Sequence, residues 1–487
     1  MLRAYSTDRV QAAERELMAG LEDGELMARA AQGLAEVCSA RLHQLGGSRV
    51  VVLAGPGNNG ADALYAAAHL ADEGFACVAV KGGWPLAVGD EASWLAAGVP
   101  VLASDDDWST PLAEADLVLD GVLGIGGRPG LPDEAVAWVD AVPPDAYVVA
   151  VDLPSGQDPA GEQPQDEAVF ADETVTFAVA KPVHVLPASE AAVGRLTVVD
   201  IGLELDGDAD VERLDFADVA DLWPVPQASD DKYSRGVLGV VAGGEDYTGA
   251  PVLCCTAAVG AGVGMLRYVG TPAPTALVRA AVPEAVMGEG RVQAWVVGPG
   301  LDTTSRARGS KAQLDVARAA LASDLPVLVD AGGLDLVTGR RDAPTLLTPH
   351  AGELARLLSR LEGTGDGADE VTREQVQAAP LAHARRAARL TGATVLLKGA
   401  TTLVVPPEGA VRSQNDAPAW TATAGAGDAL AGVCGALLAA GLSPLDAGSL
   451  GALVHGVAAD RANPGGPVRA LALAHAVPGT VAHLLTR

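Results

Sequence analysis

Twice along this chain the same pattern recurs: a short run of consecutive apolar residues, a glycine turn, then apolar residues at helical spacing. The first series opens with Arg49–Ala54 (RVVVLA), turns at Gly55 and continues into Ala61–Glu73. Phe75–Val80, Asp116–Asp120, Tyr147–Val151, Glu173–Ala178 and Leu196–Asp200 are its further strand candidates. The second series restarts with strands expected at Gly236–Ala242, Ala294–Val297, Pro326–Asp330, Leu346–Thr348 and Thr394–Leu397. Helices are expected at Ala250–Val263, Arg306–Ala322, Glu374–Leu390, Gly427–Ala440, Pro444–Asn463 and Arg469–Leu485. Apolar residues at consecutive positions mean strands covered on both faces, which a parallel sheet between two helical layers provides. The pattern predicts a doubly wound α/β architecture, and predicts it twice. A chain of 487 residues is also too long for one typical core. Between the series, Leu205–Gln227 is rich in Asp (206, 208, 210, 215, 218 and 221) and ends in Trp223-Pro-Val-Pro226, so the domain boundary is placed there. Leu361–Glu370 reads as an exposed insertion.

The chain has 62 acidic against 33 basic residues, a net charge of −29. Such a surface argues against nucleic-acid and anionic-membrane partners. Any anionic substrate must then be held by local devices: helix N-termini, a few cations or a metal. The five cysteines (38, 77, 254, 255 and 434) are odd in number and form no C-x-x-C pair, which fits a reducing cytoplasm. No apolar run approaches about 18 residues, so no membrane span is expected. The N-terminus is charged early and lacks an apolar h-region, so no signal peptide is expected.

One segment carries explicit chemistry. Thr421-Ala-Thr-Ala-Gly-Ala-Gly-Asp-Ala-Leu-Ala-Gly432 packs small residues around Asp428 and runs into an apolar helix. The first amides of a helix lack partners and carry partial positive charge, a geometry that binds phosphate. A carboxylate repels phosphate, so Asp428 at this rim makes sense as a base for a hydroxyl that attacks phosphorus. The competing reading is a glycine turn capped by Asp. Other loops at expected strand ends, Gly243–Ala250, Gly298-Pro-Gly-Leu301, Thr348-Pro-His-Ala-Gly-Glu353 and Lys398-Gly-Ala-Thr-Thr402, let a ligand approach the backbone. With Lys398, Gly399 and Asp428 in one chain, a nucleotide site is the better reading, against a structural His350 and a solvated Lys398.

In the first half, Gly55-Pro-Gly-Asn-Asn-Gly-Ala-Asp62 follows a strand and opens a helix. Its glycine spacing is weak evidence for a dinucleotide fingerprint, and no Gly-Lys-Ser/Thr follows to make a P-loop. Asn58 and Asn59 are unusual, since they offer amides where strand ends form a ligand crevice. Asp120 closes one strand before Gly121-Val-Leu-Gly-Ile-Gly-Gly-Arg-Pro-Gly130, and Asp152 closes another before Leu153-Pro-Ser-Gly156. Asn59, Asp120 and Ser155 can surround a hard cation through oxygens alone, with Asp152 beside them as an acid or base. Turn-forming Asn and Asp residues are the competing reading.

The ordered set G-x-G-N-N-G-x-D, D-x-x-x-G-x-G and V-D-L-P-S-G resembles the NAD(P)H-hydrate epimerase, or YjeF N-terminal, domain over residues 1–215. The resemblance implies a Rossmann-like three-layer sandwich with potassium at Asn59, Asp120 and Ser155. It implies substrate contacts from Asn58, Asn59, Gly60, Ala61 and Asp62, from Gly124, Ile125, Gly126, Gly127, Arg128, Pro129 and Gly130, and from Asp152, which would move protons. The family commonly has glycines where Ala61 and Ala63 stand, and their Cβ atoms are expected to narrow the pocket wall.

K-Y-S-R-G, G-P-G-L, T-P-H-x-G-E, K-G-A-x-T and G-x-G-D resemble the ADP/ATP-dependent NAD(P)H-hydrate dehydratase, a ribokinase-like α/β domain, over residues 225–487. The resemblance implies nucleotide binding by Lys398, Gly399, Ala400, Thr401, Thr402 and Gly427, and substrate contacts from Ala250, Gly300, His350 and Asp428. It also implies Mg²⁺ with ADP or ATP as phosphoryl donor, and a homo-oligomer. The family commonly reads D-A-D after the Pro326–Asp330 strand; here it is Asp330-Ala-Gly332, one carboxylate fewer. The alternatives are a ribokinase-like small-molecule kinase with a non-catalytic N-terminal domain, and a dinucleotide sensor without catalysis.

Overall fold

The computed structural model describes residues 1–87, 91–307, 309–363 and 370–486. It divides into two compact units: Arg3–Val211, and Glu212–Arg487 together with Met1–Leu2. In the first unit, seven parallel strands lie in the order Val101–Leu102, Ala76–Lys81, Arg49–Ala54, Leu117–Gly121, Tyr147–Val151, Glu173–Phe177, Arg195–Val199. Consecutive apolar residues such as Val50, Val51, Val52 and Leu53 are all buried, because both sheet faces are covered. One face packs against the helices Glu25–Leu45 and Asn58–Asp72 through Leu34, Leu64 and Leu70; the other packs against Trp138 and Leu112. The chain leaves the strand Arg49–Ala54 toward one edge and returns on its other side at Leu117–Gly121. That reversal opens a crevice at the strand C-termini, between the Gly55 and Gly121 loops.

The second unit repeats the device. Its strands lie in the order Val286–Met287, Met265–Val269, Val237–Val241, Ala294–Val297, Val327–Val329, Thr345–Leu347, Thr394–Leu397, all parallel, followed by the antiparallel Thr402–Val405 and Val411–Gln414. Its reversal falls between Val237–Val241 and Ala294–Val297. The Gly243–Ala250 and Gly298–Leu301 loops therefore leave from neighbouring strand ends. The helix Ala426–Ala439 crosses the helix Gly249–Gly260 so closely that a Cβ on Gly432 would lie 2.1 Å from the Cys254 carbonyl oxygen.

Several expectations change. The boundary stretch 205–227 also holds a helix that was not expected, Phe216–Leu222, capped by the Asp215 carboxylate, and buries Leu214, Val219 and Trp223 in the core of the second unit. The helix expected over Glu374–Leu390 is two helices, Arg373–Ala378 and Pro380–Thr391. Pro380 lacks the N–H needed to continue the first and is preorganised to begin the second. Leu361 and Glu362 close the helix Ala351–Glu362, and residues 364–369 of the expected insertion lie outside the described residues. All five cysteines are buried free thiols. Among the described residues no helix is long and apolar enough to cross a membrane.

Candidate active sites

In the first unit, close backbone approach explains the glycines. A Cβ on Gly55 would lie 2.0 Å from the Val122 carbonyl oxygen, and one on Gly60 would lie 2.1 Å from that of Gly55. Asn59, in the first turn of its helix, donates from Nδ2 to the carbonyls of Leu123 (3.1 Å) and Val151 (2.5 Å), tying three strand ends together. Its Oδ1 fills the space that a Cβ on Gly124 would need, 2.2 Å away. Asp120 is fully buried and accepts from the amides of Ser155 (2.8 Å) and Val122 (3.3 Å). Ser155 Oγ accepts from the Leu123 amide at 2.8 Å. Asn59, Asp120 and Ser155 are thus gathered at one place. Asp120 has no cationic partner among the described residues, and burial pushes its carboxyl up to about 6 against the hydrogen bonds from Ser155 and Val122. A buried carboxylate without a counter-charge, among oxygen-bearing neighbours, fits a monovalent cation.

Asp152 has φ 65°, left-handed backbone that few residues other than Gly, Asn and Asp adopt readily. Its Oδ1 accepts from Lys181 Nζ (2.6 Å) and Thr176 Oγ1 (2.9 Å). Lys181, 1% exposed, spends its remaining donors on Thr176 Oγ1 (2.8 Å) and the Phe177 carbonyl (3.1 Å). His184 accepts the Lys181 amide at Nδ1 (3.0 Å), so its Nε2–H donates to the Asp152 carbonyl (2.7 Å). Burial, then the Lys181 charge, hold His184 down at about 4, so it is neutral. Burial raises the Asp152 carboxyl, but Lys181, with His184 and Thr176 assisting, overcomes it and leaves the group below its ordinary range. Lys181 and His184 were not anticipated from sequence. Their only signal is a lysine in the small-residue stretch after Phe177.

Among the other expected contacts, Asn58, Arg128 and Pro129 are exposed, Gly60, Ala61 and Asp62 are buried, and Gly126 is exposed. Ile125 packs on Tyr5, Val10 and Ala209. The Gly127 amide donates to the Gly124 carbonyl (2.7 Å), a turn within this loop, and that of Gly130 donates to the Gly156 carbonyl (2.8 Å), which ties it to the loop after Asp152. Ala63 corrects an expectation: it belongs to the core beneath the site, and a Cβ on Gly121 would lie 2.8 Å from its methyl. That methyl packs against the sheet and does not narrow the pocket.

In the second unit, Gly425 (φ 90°) turns the chain into the helix Ala426–Ala439. The Ala426 amide is taken by the Thr423 carbonyl (3.3 Å), while the amides of Gly427 and Asp428 have no acceptor among the described residues. Lys398 Nζ stands over this turn, 3.3 Å from where a Cβ on Gly427 would be. It is fixed by Asp330 (2.7 Å) and Glu353 (3.6 Å), and Thr348 Oγ1 holds the same Asp330 oxygen (2.9 Å). Lys398 comes into reach because its amide bonds the Pro349 carbonyl (2.9 Å), joining the Thr348–Glu353 and Lys398–Thr402 loops. Asp428 makes no ion pair among the described residues. Burial, then the Asp330 charge, push its carboxyl up to about 7, with Lys398 opposing and Glu353 adding to the rise. The buried His455 donates Nε2–H to the Ala426 carbonyl (2.9 Å) and steadies the turn.

His350 has a structural task as well: Nδ1 accepts the amides of Gly352 (3.1 Å) and Glu353 (3.2 Å), while its own amide donates to Glu353 Oε2 (2.9 Å). Its ring is exposed beyond this cap. Gly300 (φ 63°) faces Ala250 and Tyr247, whose Cβ atoms lie 2.8 and 3.0 Å from where its own would be. Gly399 and Ala400 are exposed, and Thr401 is buried just before the strand that Thr402 begins. Gly332 leaves no room for the absent carboxylate: a Cβ there would lie 1.9 Å from the Leu301 carbonyl oxygen. Lys232–Gly236 lies at the N-terminal end of its strand, opposite this site. There Gln293 bonds the Val237 amide (2.6 Å) and the Tyr233 carbonyl (2.8 Å), a stitching role.

Each unit is thus a doubly wound α/β fold with a candidate site at its strand C-termini. The second candidate site brings a helix turn with two free amides and a lysine together with a carboxylate that has no ion-pair partner among the described residues. The NAD(P)H-hydrate dehydratase family model matches residues 238–476, and that of the YjeF-related protein N-terminus matches residues 23–183. The chain is 45% identical to the bifunctional NAD(P)H-hydrate repair enzyme Nnr of Mycobacterium tuberculosis, over 91% of this chain and 90% of that one. It is 43% identical to that of Mycobacterium leprae, over 96% and 95%. The ADP/ATP-dependent NAD(P)H-hydrate dehydratase from Bacillus subtilis, co-crystallised with ATP/Mg²⁺, aligns with a TM-score of 0.48 at 24% identity, over 56% of this chain and 99% of that one. The chain belongs to the family of bifunctional NAD(P)H-hydrate repair enzymes.

Proposed function

We propose that the chain repairs hydrated nicotinamide cofactors. The first unit interconverts the R and S epimers of NAD(P)HX, and the second dehydrates the S epimer to NAD(P)H with ADP or ATP as phosphoryl donor, ADP giving AMP and phosphate. The observation that carries this reading is the Gly425–Asp428 turn: two free helix amides, a lysine over them and a carboxylate poised near neutrality. Hydroxide is a poor leaving group. Phosphorylating the C6 hydroxyl lets its oxygen depart as phosphate while the ring nitrogen supplies the electrons, and loss of a proton from C5 of the resulting iminium restores the C5=C6 double bond. Asp428 takes the hydroxyl proton, the Gly427 and Asp428 amides meet the developing phosphate charge, and Lys398 adds a fixed cation. Lys398, Gly399, Ala400, Thr401, Thr402 and Gly427 hold the nucleotide; Ala250, Gly300 and His350 contact the hydrate. Mg²⁺ bound together with the nucleotide would neutralise the charge of its phosphates.

In the first unit, Asn58–Asp62 and Gly124–Gly130 contact the substrate and Asp152 accepts the hydroxyl proton. Asn59, Asp120 and Ser155 would hold potassium, whose charge would balance that of Asp120. The absence of paired cysteines agrees with a cytoplasmic location. The test is to incubate the purified protein with mixed NADHX epimers and ADP or ATP while following the NADH absorbance band. Full recovery is expected. No recovery with either nucleotide sinks the reading, and recovery of the S fraction alone leaves the first unit without activity.

A further inference from the structure

Asp62 is 7% exposed, and its carboxyl makes no hydrogen bond or ion pair among the described residues. It lies one helical turn beyond Asn59, on the helix face that Asn59 applies to the end of the strand Tyr147–Val151, from which Asp152 follows. The charged groups that act on it electrostatically are both acids: Asp152, from that strand end, and Glu14, from the helix Thr7–Met18. Lys181 acts on both of those acids but is bonded to Asp152, and the neutral His184 bonds the Asp152 backbone. A buried carboxyl with no donor and two acidic neighbours keeps its proton. Burial, then Asp152 and Glu14, raise it well above the carboxylate range. Asp152 and Asp62 are thus neighbouring carboxyls that their surroundings push into opposite protonation states.

We propose that Asp62 is a second catalytic residue of the first unit, a general acid that protonates the ring nitrogen N1 while Asp152 takes the proton of the C6 hydroxyl. This rests on the epimerase reading. The hydrate is a hemiaminal, because C6 bears both the hydroxyl and N1. As Asp152 removes the hydroxyl proton, C6=O forms and C6–N1 breaks. The electron pair that leaves with N1 takes the Asp62 proton. The ring-opened aldehyde turns its other face, N1 attacks C6 again, and both protons return by the same two carboxyls. The opposite epimer results with no net consumption of protons or electrons and no further reactant.

The experiment measures R-to-S conversion in the full chain, with dehydration of the S epimer in the same sample as an internal reference. Asp62→Asn is expected to slow conversion about 100-fold or more, and Asp62→Glu to keep a measurable part of the rate. Wild-type conversion should fall on the alkaline side as Asp62 loses its proton, and the residual rate of Asp62→Asn should lack that limb. A wild-type rate in Asp62→Asn, or an unchanged alkaline limb, overturns the role of Asp62 alone. A wild-type protein that converts no R epimer overturns the epimerase reading and this role with it. Should Asp62→Asn lose S dehydration too, it has unfolded, and Asp62→Glu decides: a displaced alkaline limb supports the role, and an identical one overturns it.

Discussion

The two units place a lysine close to a buried carboxylate at their strand ends, and they use it differently. In the first, Lys181 is bonded directly to Asp152, and that carboxyl sits below its ordinary range. In the second, Lys398 is bonded to Asp330, one residue removed from the chemistry, and Asp428 rises to about 7. The same pair of residue types therefore makes a group that rests as the carboxylate in one site and a group balanced between two states in the other. What decides is which carboxylate the lysine reaches, and that depends on which loop each occupies. Asp428 sits on a helix turn that Lys398 overlooks without bonding; Asp152 sits on a strand end that Lys181 closes over.

The sharpest break of this comparison is Asp428→Asn. S-epimer dehydration should fall by about 10²–10⁴-fold, the usual worth of a general base, with nucleotide binding, read by calorimetry, retained; turnover in this variant would remove Asp428 as the base. Next, Lys181→Met strands the buried Asp152 charge. It should cost about 3–5 kcal/mol, the usual penalty for halving a buried ion pair, and abolish R-to-S conversion; denaturant unfolding with the coupled assay checks both. An unchanged midpoint would mean Lys181 is not the partner that the 2.6 Å contact implies.

The pH profiles separate the two carboxylates without mutation. Each acts as a base and must be ionised, so each rate rises with pH through its own value. The acidic limb of S dehydration should fall near 7, and that of R-to-S conversion should lie well below it, because Asp152 is depressed. Coincident limbs would erase the distinction. The smallest effect is expected from Ala63→Gly, which restores a family glycine. The Ala63 methyl packs into the core, so the change should cost about 1 kcal/mol of helix stability and leave epimerisation near wild type; a large gain in rate would put that methyl back in the pocket.

Much of this was legible beforehand because apolar strand runs and the glycine loops that end them are local signals. The strands Arg49–Ala54, Tyr147–Val151, Ala294–Val297 and Thr394–Leu397 fall where the runs of apolar residues end, and the Gly425–Asp428 turn opens the helix it was expected to open. What stayed hidden depends on distant partners. Lys181 in isolation reads as a solvated side chain, and only the placement of Asp152, on a different strand, shows why it is buried. The helix Phe216–Leu222 was masked by its own acidic residues, which serve as its cap. The antiparallel pair Thr402–Val405 and Val411–Gln414 was not anticipated either, since neither run is long enough to stand out from the loop beside it.

The left-handed backbone at Asp152 bears on how such an enzyme changes over generations. Most side chains are penalised at that position by about 1–2 kcal/mol before any chemistry is considered. Asparagine, which differs by one polar atom, fits the turn nearly as well as aspartate does. Drift at this site is therefore channelled toward asparagine, which keeps the turn and loses the base, but leaves the buried Lys181 charge without its carboxylate. A lineage in which only the second half is under selection would lose stability in the first half together with its base, and the first trace of its retirement would be a single amide at position 152.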